Sequence, residues 1–446
     1  MIVPALEERQ AFVAALARAS SAIPDKPALS EWAGLAANLS QFDSRPSWSA
    51  NPARLRYLAI DTTASCNLTC PQMCYYHPAL GARRERAELE RFDEAIRVAA
   101  RDLDLGVLAF AGKEPLVDAG RLVALAEQAS RVPDRRFSIG IVTNGTLVRR
   151  NGPSLDRLVR AGALDFIDVS IDSSSADQHD AIRGKAGALK AAQAALSEML
   201  DSWPHVRIGM TSVLRRDNGE SIADLVARAD PRLRNFFVFP FQPPVFDAQL
   251  PAADWSAIDS CVARIVDVLE RGRRDAGIEV TISLLGLHLA DAVRSGRLRL
   301  DSLREDDNGQ IFVQQEIGGN TLTFVAQVLP DTGRYGLRIL PDGTVLPSTH
   351  YLQVPEPLRF GIGSIAEESI VDLYAKAIGP GSAIDQLWAS RLNHACRDRP
   401  CWPLCFGGIA ISDNNIISGK PLDLPPDLCL SSGAESAEAL RGDVKP

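Results

Sequence analysis

The sequence predicts an α/β fold of parallel strands joined by helical crossovers, a full or partial barrel, with a smaller C-terminal module behind it. Three observations carry this. Short apolar runs alternate with longer amphipathic stretches from Tyr57 to Ile282, the pattern of strands fed through helices. The pattern breaks near residue 330, where Pro341-Asp342-Gly343 marks a hairpin turn. The eight cysteines are clustered: three lie between 66 and 74 and three between 396 and 405, with Cys429 beyond and Cys261 apart.

Taken in order, residues 1–50 read as a helical extension broken by Pro24, Pro27 and Pro46. Residues 51–290 hold the barrel. Its strand runs start with Tyr57–Ile60, Val107–Phe110, Ser138–Val142 and Phe166–Ile171. Val206–Met210, Phe236–Phe239 and Ile278–Ile282 continue the series. Helical stretches such as Gly120–Arg131 and Ala186–Leu200 lie between them, with apolar residues three and four apart. Six or seven such units suit a partial barrel. The stretch 291–330, rich in Arg, Asp and Gly, reads as an insert or linker. Residues 331–446 form the C-terminal module, with a hairpin at 338–346, a helix near Ser369–Ala377 and the second cysteine cluster.

Composition excludes several classes. A net charge of -8 and no long Lys/Arg run argue against a nucleic-acid partner. No apolar run approaches the roughly 20 residues of a membrane span. The opening segment turns acidic at Glu7-Glu8 before an apolar core develops, unlike a signal peptide. The expected address is the reducing cytoplasm, where clustered cysteines point to metal ligands before disulfides. Cys261, inside a helix-like stretch, reads as a small buried hydrophobe.

Cys66, Cys70 and Cys74 follow directly on the first strand, at the end where barrel enzymes do their chemistry. Thiolates suit a [4Fe–4S] cluster, which four cysteines normally close. Three would leave one iron open to a chelating substrate. The alternatives are buried thiols or a structural zinc site, which needs a fourth ligand that His77 could supply.

The loop resembles the signature of radical S-adenosylmethionine (SAM) enzymes. That signature usually leaves three residues in the first gap and two in the second; here both gaps hold three. Ala111-Gly112-Lys113-Glu114-Pro115 resembles the family's Gly-Gly-Glu-Pro, with Lys113 in place of the second glycine. Thr143-Asn144-Gly145 matches its Thr-Asn-Gly turn, and Ser170-Ile171-Asp172 with His179-Asp180 and Arg183-Gly184 resembles its fourth-strand segment. Each of these alone is an ordinary loop or turn; their order on successive strands is the specific signal. The resemblance implies a [4Fe–4S] cluster on Cys66, Cys70 and Cys74. It also implies SAM held by Glu114 at its amine, Ser170 at its ribose and Arg183 at its carboxylate, with Asn144 and Met73 beside it.

Cys396, Cys401, Cys405 and Cys429, with the hairpin and Gly361-Ile362-Gly363, resemble the SPASM or twitch domain appended to many radical SAM enzymes. That implies one auxiliary [4Fe–4S] cluster, with a zinc staple as the alternative, and either would stabilise a small module.

The double three-residue spacing and the reduced C-terminal cysteine set resemble, more narrowly, the radical SAM diol-dehydratases of apramycin- and tobramycin-type aminoglycoside pathways. That resemblance implies hydrogen abstraction at C4′ of paromamine and loss of the 3′-hydroxyl as water. The product would be 4′-oxolividamine, passed to an NADPH-dependent partner reductase, and electrons would come from a flavodoxin-type system or dithionite. Paromamine carries ammonium groups, so Asp61, Gln242 and Asp247 are candidate substrate contacts. Asp172 and His350 are candidates to help the hydroxyl depart. The alternative is a SPASM-type enzyme modifying a ribosomal peptide; a non-catalytic metal protein would lack the SAM-type segments.

Overall fold

The computed structural model describes residues 55–71, 74, 76–81, 86–241, 255–271, 277–285, 303–305, 311–327, 336–347, 352 and 357–379. The expected strands form where the apolar runs lie: β1 (Tyr57–Asp61), β2 (Val107–Ala111), β3 (Ser138–Thr143), β4 (Phe166–Ser170), β5 (Arg207–Leu214), β6 (Asn235–Pro240) and β7 (Glu279–Leu285). Helices α1 (Leu89–Asp102), α2 (Ala119–Ser130) and α3 (Gly152–Arg160) carry the first crossovers. They are followed by α4 (Ala176–Arg183), α5 (Ala188–Ser202), α6 (Gly219–Arg228) and α7 (Trp255–Arg271). Each helix turns one apolar stripe to the sheet. In α1, Phe92, Ala95, Ile96 and Ala99 are buried at three- and four-residue spacing. β2 is apolar throughout, as a strand covered on both faces must be.

The strands after β7 are β8 (Leu303–Glu305), β9 (Ile311–Ile317), β10 (Asn320–Gln327), β11 (Gly336–Ile339), β12 (Thr344–Leu346) and β13 (Gly363–Ser364). All thirteen strands lie in one sheet, ordered β13-β12-β11-β1-β2-β3-β4-β5-β6-β7-β10-β9-β8. From β11 to β10 the neighbours pair parallel, and antiparallel strands finish both ends. The order has two ends, so the described strands form an open α/β sheet, consistent with the expected partial barrel.

Two sequence expectations change here. The stretch 291–330, expected as an insert or linker, supplies β8, β9 and β10. Gly318 and Gly319, both at positive φ (+59° and +84°), make the two-residue turn between β9 and β10. That Gly-Gly pair, flanked by Ile, Phe and Val, is the signal that finds the hairpin in the sequence. Likewise the 338–346 hairpin, expected at the start of a separate module, continues the main sheet, because β11 pairs parallel with β1. The helix expected near Ser369–Ala377 is α8 (Ile370–Ile378), whose N-cap Ser369 accepts a hydrogen bond from the Val371 N–H. Cys261 is fully buried in α7, and burial pushes its thiol up to about 12, as a packing residue requires. No described helix is long and apolar enough to cross a membrane.

Candidate active site at the C-terminal strand ends

The order β1-β2-β3-β4 sets four loops side by side at the carboxyl ends of their strands, where parallel α/β sheets place their chemistry. The β1 loop carries the cysteines. It is pinned to the β2 loop, where the Glu114 N–H donates to the Ser65 carbonyl (3.2 Å), and to the end of α4, where the Cys70 N–H donates to the Arg183 carbonyl (3.1 Å). Thr69 Oγ1 donates to the Gly184 carbonyl at 3.2 Å. Gly184 sits at φ +66°, and a Cβ there would lie 2.0 Å from Thr69 Oγ1. Only glycine both ends α4 and lets the cysteine loop dock.

Cys66, Cys70 and Cys74 are free and partly buried. Each sulfur faces a donor. Cys66 Sγ accepts from the Leu68 N–H (3.4 Å) and lies 4.0 Å from Asn144 Nδ2. Cys70 is hydrogen-bonded by the Arg183 guanidinium, and Lys113 Nζ stands 3.6 Å from Cys74 Sγ. Burial pushes the Cys70 thiol up to about 11 against the pull of Arg183, and burial likewise raises Cys66. Partly buried thiols with donors aimed at sulfur fit ligands that carry negative charge once metallated. His77, the fourth ligand of a zinc alternative, has Nδ1 engaged by the Ala79 N–H at 3.1 Å. Among the described residues, no three His, Cys, Asp or Glu side chains are grouped to hold a single metal ion.

Glu114 is fully buried at the β2 end. Oε1 accepts from Thr143 Oγ1 (2.7 Å) and the Leu116 N–H (3.1 Å), and Oε2 accepts from the Asn144 N–H (2.8 Å). A carboxylate has about four acceptor sites, so one remains for a cationic ligand. Burial holds its pKa above the usual carboxylate range, opposed by those three bonds and by Arg183. Asn144 is spent on the loop itself: Nδ2 donates to Asn67 Oδ1 (3.0 Å), and Oδ1 accepts from the Thr146 N–H (2.9 Å). Asn67, not singled out by the sequence, closes the loop with a 2.7 Å bond to Thr146 Oγ1. Ser170 ends β4 partly buried, paired with Thr211 of β5.

Asp61, read from the sequence as a candidate substrate contact, and Asp172, read as a candidate catalytic carboxylate, are both buried against arginines. Asp61 is fully buried against Arg338, with Oδ1 2.6 Å from Nη2, and Tyr76 adds a hydrogen bond. Burial raises its pKa and the Arg338 charge opposes the rise. β11 brings this cation to Asp61 from far along the chain. Asp172, expected to assist a leaving hydroxyl, is also at 0% exposure. Its Oδ1 accepts from the Val213 N–H (2.9 Å) and Oδ2 lies 2.7 Å from Arg183 Nε. It is therefore a positioning carboxylate for Arg183. Burial disfavours the Arg183 charge, but Asp172 and the Cys70 sulfur outweigh it and hold the pKa above the ordinary value. His179 supports the same corner, its Nδ1 accepting from the Asp172 N–H at 3.1 Å.

Sequence reasoning missed Arg338 as the partner of Asp61 as well as Asn67; an arginine in an apolar strand run, Leu337–Leu340, was the available signal for the first. Met73, Gln242, Asp247, His350, Cys396, Cys401, Cys405 and Cys429 lie outside the described residues.

The radical SAM superfamily profile matches residues 60–229, which span every one of these four loops. This segment is a radical SAM domain. Such a domain works with SAM and a [4Fe–4S] cluster, and the donor-lined thiols and the remaining acceptor site of Glu114 suit both. Among curated proteins, a GTP 3′,8-cyclase of a Synechococcus species is 29% identical over 150 residues, 32% of this chain and 41% of that protein. An AdoMet-dependent heme synthase of Nitratidesulfovibrio vulgaris is 27% identical over 180 residues, 38% of this chain and 43% of that protein. The chain thus spans less than half the length of these two relatives. Streptococcus suis SuiB bound to its precursor peptide SuiA superposes with a TM-score of 0.57 at 14% identity, covering 85% of this chain and 76% of SuiB. The AdoMet-bound anSMEcpe superposes at 0.51 and 13% identity, covering 78% and 88%. At such identities the likeness is one of fold.

Proposed function

We propose that the radical SAM domain serves a dehydratase acting on paromamine, in which C4′ loses a hydrogen atom, the 3′-hydroxyl leaves as water, and the resulting carbonyl-bearing radical takes one electron and one proton to give 4′-oxolividamine. The observation that supports radical chemistry is the set of three partly buried thiols, each facing a donor, beside a buried glutamate with one acceptor site open. The choice of substrate rests on the paired three-residue gaps of the cysteine loop and on the C-terminal cysteines Cys396, Cys401, Cys405 and Cys429.

When bound, the cluster and SAM supply the 5′-deoxyadenosyl radical that takes the hydrogen atom. The chain holds and orients these partners. Cys66, Cys70 and Cys74 would hold the cluster. Glu114 would accept from the SAM amine, Ser170 would lie beside it, and Arg183, fixed by Asp172, would meet its carboxylate, with Met73 a further candidate. Asn144 and Asn67 keep the cysteine loop in register. Gln242, Asp247 and His350 remain the candidates for the substrate's ammonium and hydroxyl groups, since Asp61 and Asp172 are committed to buried arginines. The C-terminal cysteines would hold one auxiliary cluster, or zinc. Electrons would come from a flavodoxin-type donor in the reducing cytoplasm, and an NADPH-dependent reductase would consume the product ketone.

A second reading, a SPASM-type enzyme that modifies a ribosomal peptide, draws support from the fold likeness to peptide-bound SuiB. One experiment separates the two. Anaerobically reconstituted protein is given SAM, dithionite and paromamine. 5′-Deoxyadenosine together with a product lighter by one water is the expected result. 5′-Deoxyadenosine with paromamine unchanged would remove the dehydratase reading.

A further inference from the structure

Lys113 stands where the related loops carry glycine, and the position it takes is specific. Its Nζ is 3.6 Å from Cys74 Sγ and 5.4 Å from the centroid of the Tyr76 ring. The stem passes beside Gly81, in the helical turn Pro78–Gly81. Tyr76 is itself immobilised, 2% exposed and packed with Leu80, Leu340, Leu346 and Leu352, with Cys74 against the same cluster. Leu340 and Leu346 belong to the β11–β12 hairpin. The hairpin thus fixes a ring, the ring and the thiol fix an ammonium, and the ammonium addresses the sulfur that the widened second gap carries.

We propose that Lys113 is a positioning residue for the cluster: its charge, delivered to Cys74, raises the reduction potential of the [4Fe–4S] centre and offsets the burial of its thiolates. The proposal rests on Cys74 being a cluster ligand. Reduction adds one electron, taken from the donor, to iron and sulfur; a fixed cation beside one ligand sulfur favours that added negative charge. A solvated surface lysine would have no such effect. Removing the charge should lower the reduced-to-oxidised ratio at a fixed applied potential by about tenfold, equivalent to about 59 mV for a one-electron couple.

The test is an EPR-monitored redox titration of anaerobically reconstituted wild-type, Lys113→Arg, Lys113→Met and Lys113→Gln proteins, without substrate and with iron content measured. The expected result is a potential near wild type for Lys113→Arg and more negative for both neutral variants. Iron uptake by Lys113→Arg but by neither neutral variant would assign the charge to the same site through its assembly. Neutral variants that load fully and titrate with the wild-type protein would overturn the proposal. Cys74→Ala reports separately on the ligand reading: if it loads an unchanged cluster, Cys74 is not a ligand and the fault lies there.

Discussion

Replacing Glu114 with glutamine exchanges one carboxylate oxygen for an amide in a pocket made entirely of donors. Oε1 faces two of them, Thr143 Oγ1 and the Leu116 N–H, while Oε2 faces the Asn144 N–H. Glutamine therefore keeps its oxygen toward Thr143 and Leu116 and turns its NH2 against Asn144. A buried donor opposite a donor costs about 1–3 kcal/mol. Relief of the burial cost that raises the Glu114 pKa returns part of this, so the net loss should fall in the lower half of that range. If Glu114 holds the SAM amine as proposed, the same change removes a charge-assisted bond worth about 1.5–3 kcal/mol, or roughly ten- to a hundredfold in affinity. Anaerobic urea unfolding measures the first quantity, and calorimetric titration of SAM into cluster-loaded protein the second. Thr143→Val is the control, since it removes one donor and leaves the carboxylate: it should cost stability with far less effect on SAM. If Glu114→Gln binds SAM as the wild type does, Glu114 serves only to join the β2 and β3 loops, and its assignment to SAM is refuted.

Arg338→Met should destabilise the fold by about 3–5 kcal/mol, because it strands the Asp61 carboxylate in the core. The double variant Asp61→Asn/Arg338→Met should recover most of the loss in urea midpoint; equal losses for single and double variants would contradict the pairing. His179 gives a pH signature. Burial holds its pKa at about 4, below the ordinary 6.5. The unfolded chain therefore takes up a proton below 6.5 that the folded protein refuses until about 4. Stability from neutral His179 is complete above pH 6.5 and lost as pH falls toward 4, by roughly 3 kcal/mol. Asp168, whose pKa burial raises to about 6, acts with the opposite sign, but it is common to wild type and His179→Gln and cancels between them. The variant should gain roughly that amount relative to wild type between pH 7 and pH 4; parallel curves would show that the histidine does not titrate with unfolding.

Much of the architecture was legible in the residues because its signals are local. Each of the first seven strands formed on the apolar run that announced it, with no end moved by more than four residues. The helices kept their three- and four-residue stripes. The hairpin at Gly318-Gly319 was not legible because the Arg- and Asp-rich residues 291–307 before it set the reading of the whole stretch, although its turn chemistry was present. The site divides in the same way. Cys66, Cys70, Cys74, Glu114 and Asn144 could be read as one group because each lies in a loop that follows a strand, and neighbouring parallel strands bring such loops together.

Strand periodicity, turn chemistry and the residues placed just after each strand are properties of a few consecutive positions, and the chain alone settled them. Which charges would meet was not of that kind. Asp61 and Asp172 look identical in a sequence to carboxylates awaiting a substrate, yet packing buried one against Arg338 and the other against Arg183. A buried charge must find its counter-ion wherever the folded sheet supplies one, and only the three-dimensional arrangement of distant strands fixes that choice.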